Sequence, residues 1–148
     1  MSTEENKALV RRYEDEKRNK NNLAIIDELV ADGVVMHDQF GDQRVNLAVM
    51  KANHAQQRVD WPDLSIEIGE MIAEGDMVAY LWTLRGTHSR DIDNPWGHFP
   101  ATGKVIAFSA TTICRIANGK IVEIWNRGDH LSFVEQLGGT VTLPQAAT

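Results

Sequence analysis

Two side chains that could exchange a proton near neutral pH stand at the ends of apolar, strand-like segments. His37 follows the apolar run 34–36, and a histidine needs little tuning to act as a base. Asp129 lies three residues after Asn126, where apolar surroundings would raise the pKa of a carboxyl group. We therefore predict His37 and Asp129 as acid–base residues. The alternatives are a hydrogen-bonded histidine in a partly exposed loop and an aspartate that only caps the following helix.

Two further histidines, His88 and His98, flank the loop 89–103, which also contains Asp91 and Asp93. Their spacing matches no metal-binding pattern such as H-E-x-x-H, so we expect solvent-exposed loop residues and no metal site. The sequence also lacks a nucleophilic triad and a phosphate-binding glycine loop.

The composition excludes several classes of protein. A formal net charge of −6 over 148 residues argues against nucleic acid as a partner. The basic run 11–20 is interleaved with acidic residues and is interpreted as a solvated helix face. The sequence has no run of about eighteen apolar residues, so no membrane span is predicted. The N-terminus lacks the pattern of a signal peptide. The single Cys114 suits a reducing compartment, so we expect a cytoplasmic protein in which Cys114 is a small buried side chain.

The first 60 residues have helical spacing of apolar residues. Ser2 with Glu5 forms a capping box for a first helix, and Asn22 is predicted to cap a second helix that Gly33 ends. A third helix begins near Asn46 and must stop before Trp61-Pro62, because a residue that precedes proline is pushed out of the helical region.

From residue 64 onward the spacing becomes that of strands. The predicted elements are a strand at 64–68, a turn at 74–76, strands at 77–88 and 105–116, a tight hairpin at Asn118-Gly119, a strand at 121–127 and a closing helix at 130–137. Helices followed by an antiparallel meander predict an α+β fold in a single domain, residues 1–148. Its core spans about 4–138, and 139–148 form a loose tail.

Several stretches together resemble the SnoaL-like polyketide cyclase and ester cyclase family, within the nuclear-transport-factor-two-like superfamily. They are EN at 5–6, LAIIDELVAD at 23–32, DWPDL at 60–64, IAEGDMVA at 72–79, PATGK at 100–104 and NGKIVEIW at 118–125. The resemblance implies a cone-shaped α+β barrel, with three N-terminal helices packed on a curved, mostly antiparallel sheet and a short C-terminal helix. It also implies an enclosed pocket for a small hydrophobic ligand, a homodimer or homotetramer, and catalysis without metal or cofactor.

The characterised cyclases of this family use a pocket His and Asp for an aldol condensation. Alignment on the hairpin 115–121 puts Thr112 at the His position and Asn126 at the Asp position. Neither Thr nor Asn exchanges a proton near neutral pH, so both are predicted to bind substrate by hydrogen bonds. Strand alternation puts both side chains on the pocket face.

Other residues are predicted to line the same pocket. Asn53 matches a substrate-orienting position in some cyclases, and Tyr13 with Asp38 is similar in position to a pair in ketosteroid isomerases. The remaining predicted wall residues are His54, Trp61 and Trp82. Trp96 and Phe99 could form a lid over the pocket mouth.

Two functions remain open at this point. The first is a cofactor-free enzyme that transfers a proton on a small apolar carbonyl or ester compound, as a cyclase or isomerase does. The second is a non-catalytic protein that binds a small hydrophobic ligand. Asp129 and His37 would point into one cavity in the enzyme and toward solvent in the binding protein.

Overall fold

The computed structural model describes residues 1–145 and contains four α-helices. They are α1 (Thr3–Glu14), α2 (Ala24–Leu29), α3 (Leu47–Asp60) and α4 (His130–Gln136). A π-helical turn, Asp15–Asn19, continues α1 without a break. Residues 146–148 lie outside the described part, so the loose tail stays a prediction.

Six strands form one sheet and two form a small separate hairpin. The strands are β1 (Val30–Asp38), β2 (Gly41–Val45), β3 (Ser65–Glu74), β4 (Met77–Thr87), β5 (Ile92–Asn94), β6 (Gly97–Phe99), β7 (Val105–Ala117) and β8 (Lys120–Gly128). The sheet order is β2-β1-β8-β7-β4-β3, and every neighbouring pair is antiparallel except β1 with β8. This confirms the predicted α+β fold with a curved, mostly antiparallel sheet. The strands β2, β5 and β6 were not predicted.

Local signals explain several element boundaries. The Ser2 hydroxyl accepts the Glu5 backbone N–H at 3.1 Å and begins α1, while the Asn46 side chain accepts the Val49 N–H at 2.8 Å and begins α3. Between β7 and β8, Asn118 and Gly119 have φ angles of 52° and 73°, the left-handed conformation that a tight hairpin requires.

The second helix is shorter than predicted, and its predicted cap is wrong. The Asn22 side chain donates to Glu16 at 3.1 Å, and α2 begins after Leu23 without a side-chain cap. The helix ends at Leu29 because Val30 already pairs with Ile121 of β8. Gly33, with a φ of 74°, lies within β1 at an irregularity of that pairing and does not end the helix.

The core lies between the helices and the inner face of the sheet. Alternate residues of β4 are buried, and the side chains of Val10, Ile26, Val78 and Cys114 have no measurable exposure. Burial raises the pKa of the Cys114 thiol to about 12. The thiol is therefore protonated and unreactive, and Cys114 packs as a small apolar side chain.

A second, smaller core lies beneath the loop 89–103. Phe99 packs there with Ile106 and Val134, so it is a core residue and not the lid residue that was considered. His88 is fully buried, with Nδ1 3.0 Å from the Thr102 hydroxyl, and its expected exposure is therefore wrong. His98 is exposed, as expected.

Two classes of feature are absent from the part of the chain that the structure describes. No helix within residues 1–145 is long and apolar enough to cross a membrane. Over the same residues, no group of three or more His, Cys, Asp or Glu side chains is arranged to hold a metal ion.

Candidate active site

A cavity with two adjoining lobes lies between the inner face of the sheet and the helices. The lobe next to α4 has a volume of about 280 Å³, and the lobe next to α1 and α3 has a volume of about 640 Å³. Residues that line both lobes include Arg18, Asp38, Trp61, Trp82 and Asn126. Tryptophan rings thus provide much of the wall where the lobes meet, which suits a flat apolar molecule.

Strand alternation decides which side chains of β8 reach this cavity. Asn126 and Gly128 lie on the inner face and line it, whereas Arg127 lies on the outer face. Gly128 pairs in register with Ala110, so no β-bulge at this position turns the next residue inward. A Cβ atom at Gly128 would overlap Cζ of Phe108, whose ring therefore occupies the space that a side chain would take.

Asp129 lies on the outer side of the sheet, exposed to solvent. Its Oδ1 accepts the Ser132 backbone N–H at 3.1 Å, which makes it the N-cap of α4. It lines a shallow depression on the outer face, beside Ser109 and Arg127. The expectation that Asp129 points into the pocket is therefore wrong. Its catalytic role stays a prediction, without support from this position.

His37 also lies on the outer face. Its Nδ1 is 2.7 Å from Asp42 and its Nε2 is 2.7 Å from Glu123, and its ring stacks on Trp125 with centroids 5.0 Å apart. Hydrogen bonds to these two carboxylates raise the pKa of His37 above its ordinary value. Both ring nitrogens are engaged and neither faces the cavity, so the geometry gives the predicted catalytic role of His37 no support.

Thr112, Trp82 and Asn126 form a hydrogen-bonded chain on the inner face. The Thr112 hydroxyl accepts from Trp82 Nε1 at 2.8 Å and donates to Asn126 Oδ1 at 2.6 Å. Because the amide oxygen of Asn126 is engaged in this way, its Nδ2 is the group left to donate to a ligand. Thr112 and Asn126, which the sequence alignment predicted at the cyclase His and Asp positions, thus form a neutral, pre-oriented hydrogen-bond donor.

The other predicted wall residues border the larger lobe. Tyr13, Asn53, His54 and Trp61 all line it, with Tyr13 buried against Met50 and Asn53 largely exposed. Burial lowers the pKa of His54 well below its ordinary value, and the positive charges of two neighbouring side chains lower it further. His54 is therefore neutral at pH 7. Contact between these residues and a substrate stays a prediction.

Sequence reasoning did not select His130, which lines the smaller lobe. Its ring lies between Trp96 and Phe108, each with a centroid distance of 5.0 Å. Its Nδ1 is buried and has no hydrogen-bond partner within residues 1–145. Burial lowers the pKa of His130, and the charges of Asp129 and Asp38 partly oppose this shift. A neutral imidazole beside a cavity is available as a base.

Asp38 lies at the end of β1 and lines both lobes. Its Oδ1 accepts the Phe40 backbone N–H at 2.8 Å, which holds the carboxylate in place. The exposed Phe40 ring lies beside Trp96, with ring centroids 5.9 Å apart, so the mouth of the cavity is partly aromatic.

His130 lies two residues after Gly128, which is on the inner face of β8. That position is the one signal in the sequence that could have identified it.

The interpretation of 11–20 as a solvated helix face is wrong for part of this segment. Glu14 and Lys17 are buried, with side-chain exposures of 4% and 3%, and Arg18 is 12% exposed. The Glu14 carboxylate accepts Lys17 Nζ at 3.1 Å, Arg18 Nη1 at 2.8 Å and the Tyr80 hydroxyl at 3.2 Å. The π-helical turn thus brings Lys17 and Arg18 beside Glu14, the last residue of α1, at the wall of the larger lobe.

Comparison with known proteins identifies the family. The SnoaL-like polyketide cyclase family model matches residues 7–137, so the chain belongs to this family. No functionally curated protein matches the chain in sequence.

The chain is also similar to solved structures of similar length. A protein from Acidithiobacillus ferrooxidans, assigned as a polyketide cyclase, is 26% identical with a TM-score of 0.80, over 93% of this chain and 98% of that one. AclR from Streptomyces galilaeus, assigned as a hydroxylase, is 26% identical with a TM-score of 0.77 over the same shares. IdmH from Streptomyces antibioticus, assigned as a polyketide cyclase, is 23% identical with a TM-score of 0.77, over 90% and 98%. One fold is thus associated with different assigned activities, so the residues of the site must decide the chemistry. The homodimer or homotetramer stays a prediction.

Proposed function

We propose that this chain is a cofactor-free enzyme that transfers a proton on a small, mostly apolar carbonyl or ester compound, as a cyclase or isomerase does. The observation that carries the proposal is the presence of His130, Asp38 and Asn126 around one aromatic-walled lobe. Formation of an enolate requires a base and a hydrogen-bond donor to the developing oxyanion, and a carboxylate can stabilise the protonated base. Membership of the SnoaL-like family supports the same class of reaction.

Each of the three residues has a separate role in this proposal. His130 takes the proton from carbon, because the lowered pKa keeps its ring neutral at pH 7. The Asp38 carboxylate stabilises the imidazolium ion that results. Asn126 donates through Nδ2 to the oxygen on which negative charge develops, while Thr112 holds its amide in orientation.

Exchange of hydrogen for deuterium tests this proposal without knowledge of the natural substrate. The protein is incubated in D₂O with a panel of aromatic ketones and β-keto esters, 2-tetralone among them, and the α-proton signals are followed by NMR. We expect the wild-type protein to accelerate exchange, and His130→Gln to lower the rate by about a hundredfold. His98→Gln is the matched control, because His98 is exposed and lines neither lobe. Absence of acceleration across the panel, or full exchange activity in His130→Gln, would contradict the proposal.

A second candidate function, binding of a small hydrophobic ligand without chemistry, is favoured by one observation. The residues at the cyclase His and Asp positions, Thr112 and Asn126, cannot transfer protons and are bonded to each other. Asp129 and His37 face away from the cavity, which was the arrangement expected of a binding protein. Tight binding of an aromatic ketone by wild-type protein, with no exchange in the NMR assay, would establish this second function over the first.

A further inference from the structure

We propose that the wall of the larger lobe formed by Arg18 and Lys17 binds a carboxylate, or an equivalent oxyanion, on an aromatic ligand. The inference deepens the proposed function by naming a substrate class, aromatic or polycyclic acids, for the same cavity. It concerns binding only, so it holds whether the bound molecule reacts or not.

The first step of the argument is the charge of the cluster. One carboxylate, Glu14, faces two cations, Lys17 and Arg18, and all three side chains are at least 88% withdrawn from solvent. Burial alone would raise the pKa of Glu14, but the two cations outweigh it and lower that pKa, so Glu14 is ionised. Burial lowers the pKa of Lys17 to about 8, which still leaves the amine mostly protonated at pH 7. One positive charge in the cluster is therefore uncompensated.

The second step is the hydrogen-bonding capacity of Arg18. A guanidinium group has five N–H donors, and Glu14 is bound through Nη1. Nε is buried and has no partner within residues 1–145. The edge of the guanidinium formed by Nε and Nη2 is the edge that a second carboxylate binds in the forked, two-bond geometry. Arg18 lines both lobes, so a ligand in the cavity can reach its guanidinium group.

The third step is the surface around the guanidinium. Its Cζ lies 5.0 Å from the ring of Trp82, and Lys17 Nζ lies 3.9 Å from the ring of Tyr13. These aromatic faces hold the two cations in place and continue into the apolar wall. A ligand with an aromatic ring and an acidic group one or two bonds away would bury the ring against Trp82 and place the acid on Arg18.

The fourth step is the competing negative charge. Asp38, Asp60 and Asp93 also line the larger lobe, but each is more exposed than Lys17. Water screens exposed charges far more than buried ones, so the buried cations dominate at the inner wall. Burial lowers the pKa of His54, and the positive charges of Lys17 and Arg18 lower it further. The ligand is thus oriented with its anionic group inward and its apolar part toward the mouth.

A pair of probes that differ only in charge tests the inference. The affinities of 2-naphthoate and methyl 2-naphthoate are measured at pH 7 by quenching of tryptophan fluorescence and by calorimetry. In wild-type protein we expect naphthoate to bind at least tenfold more tightly than its ester. Equal affinities, preference for the ester, or no binding of naphthoate overturn the inference, and this measurement requires no variant.

Substitutions then locate the site. Arg18→Gln should lower the affinity for naphthoate at least tenfold and leave the affinity for the ester unchanged. Arg12→Gln is the matched control, because Arg12 lies on the same helix and pairs with Glu28 in solvent. If Arg18→Gln does not fold, Arg18→Lys keeps the charge and loses the fork, and it should lower the preference several-fold. Retention of the full preference in a folded Arg18 variant overturns the assignment.

Failure of this inference can be told from failure of the proposed function. Equal binding of the two probes together with His130-dependent deuterium exchange would refute the carboxylate-binding site and support the proposed enzyme. Preferential binding of naphthoate without exchange of any ketone would support the carboxylate-binding site and refute the proposed enzyme.

Discussion

The substitution Thr112→Val tests the hydrogen-bonded chain that holds the cavity wall. Valine has nearly the same shape as threonine, but it removes the hydroxyl that accepts from Trp82 Nε1 and donates to Asn126. Thr112 is 3% exposed and Trp82 is 7% exposed, so the indole N–H loses its partner in surroundings with little access to water. The half-buried Asn126 oxygen can be solvated from the cavity. The cost therefore lies mainly at Trp82.

The expected magnitude follows from these exposures. A buried donor that loses its partner costs about 1–3 kcal/mol, and loss of the bond to Asn126 adds about 0.5–1 kcal/mol. We expect Thr112→Val to lower the free energy of unfolding by about 2–3 kcal/mol. Thr112→Ser keeps the hydroxyl and loses one buried methyl group, which costs about 1 kcal/mol. With an m-value of about 2 kcal/mol/M, the urea midpoints should fall by about 1–1.5 M and about 0.5 M.

Urea unfolding followed by circular dichroism and by tryptophan fluorescence is the assay. Thr111→Val is the matched control, because Thr111 is the next residue of β7 and is exposed on the outer face, where the change should stay within about 0.5 kcal/mol. A Thr112→Val protein as stable as Thr112→Ser would refute the argument, since the hydroxyl would then contribute nothing to the fold.

Two other predictions concern residues on the outer face. Asparagine caps a helix as well as aspartate does, so Asp129→Asn should leave stability unchanged; it should lower deuterium exchange only slightly, because it removes a charge that raises the pKa of His130. Asp129→Ala should lose the bond to Ser132 and about 1 kcal/mol, or about 2–4 °C in thermal unfolding. A loss of exchange of about a hundredfold in Asp129→Asn would restore Asp129 as an acid–base residue. The pKa of His37 is raised above 6.5 by Glu123 and Asp42, so its stabilisation is complete below the unfolded-state pKa and is lost as pH rises through the folded-state pKa. Wild-type protein should therefore exceed His37→Gln in stability by more at pH 6 than at pH 8 in urea titrations, and an equal difference at both pH values would contradict the assigned ion pairs.

Features that depend only on residues close together in the sequence were predictable. Strand alternation correctly put Thr112 and Asn126 on the inner face, because successive side chains of a strand must point to opposite sides. The hairpin at 118–119 and the Ser2 cap are equally local. The extent of β1 was not predictable, because its first residues are held by parallel pairing with β8, some ninety positions away.

The site was predicted less well than the fold, for a physical reason. The residues 14–18 carry balanced charge, and charge pairs of this spacing stabilise an exposed helix as well as a buried one. Nothing local indicates that Tyr80 of β4 will close over Glu14. The sequence carried one signal that separates His130 from Asp129, the alternation of inner-facing residues at 126 and 128, but whether that alternation extends past the end of β8 depends on the register of its pairing with β7.

The contact between Gly128 and the Phe108 ring has a consequence for how this protein can diverge. The smaller lobe owes its shape to a missing side chain, and Phe108 in turn touches both His130 and Trp82. A change from glycine to alanine needs only one base in the codon, yet it would displace that ring and with it the surroundings of the proposed base. Selection for a new ligand could therefore reshape the lobe in one mutational step, while every polar group of the site is retained.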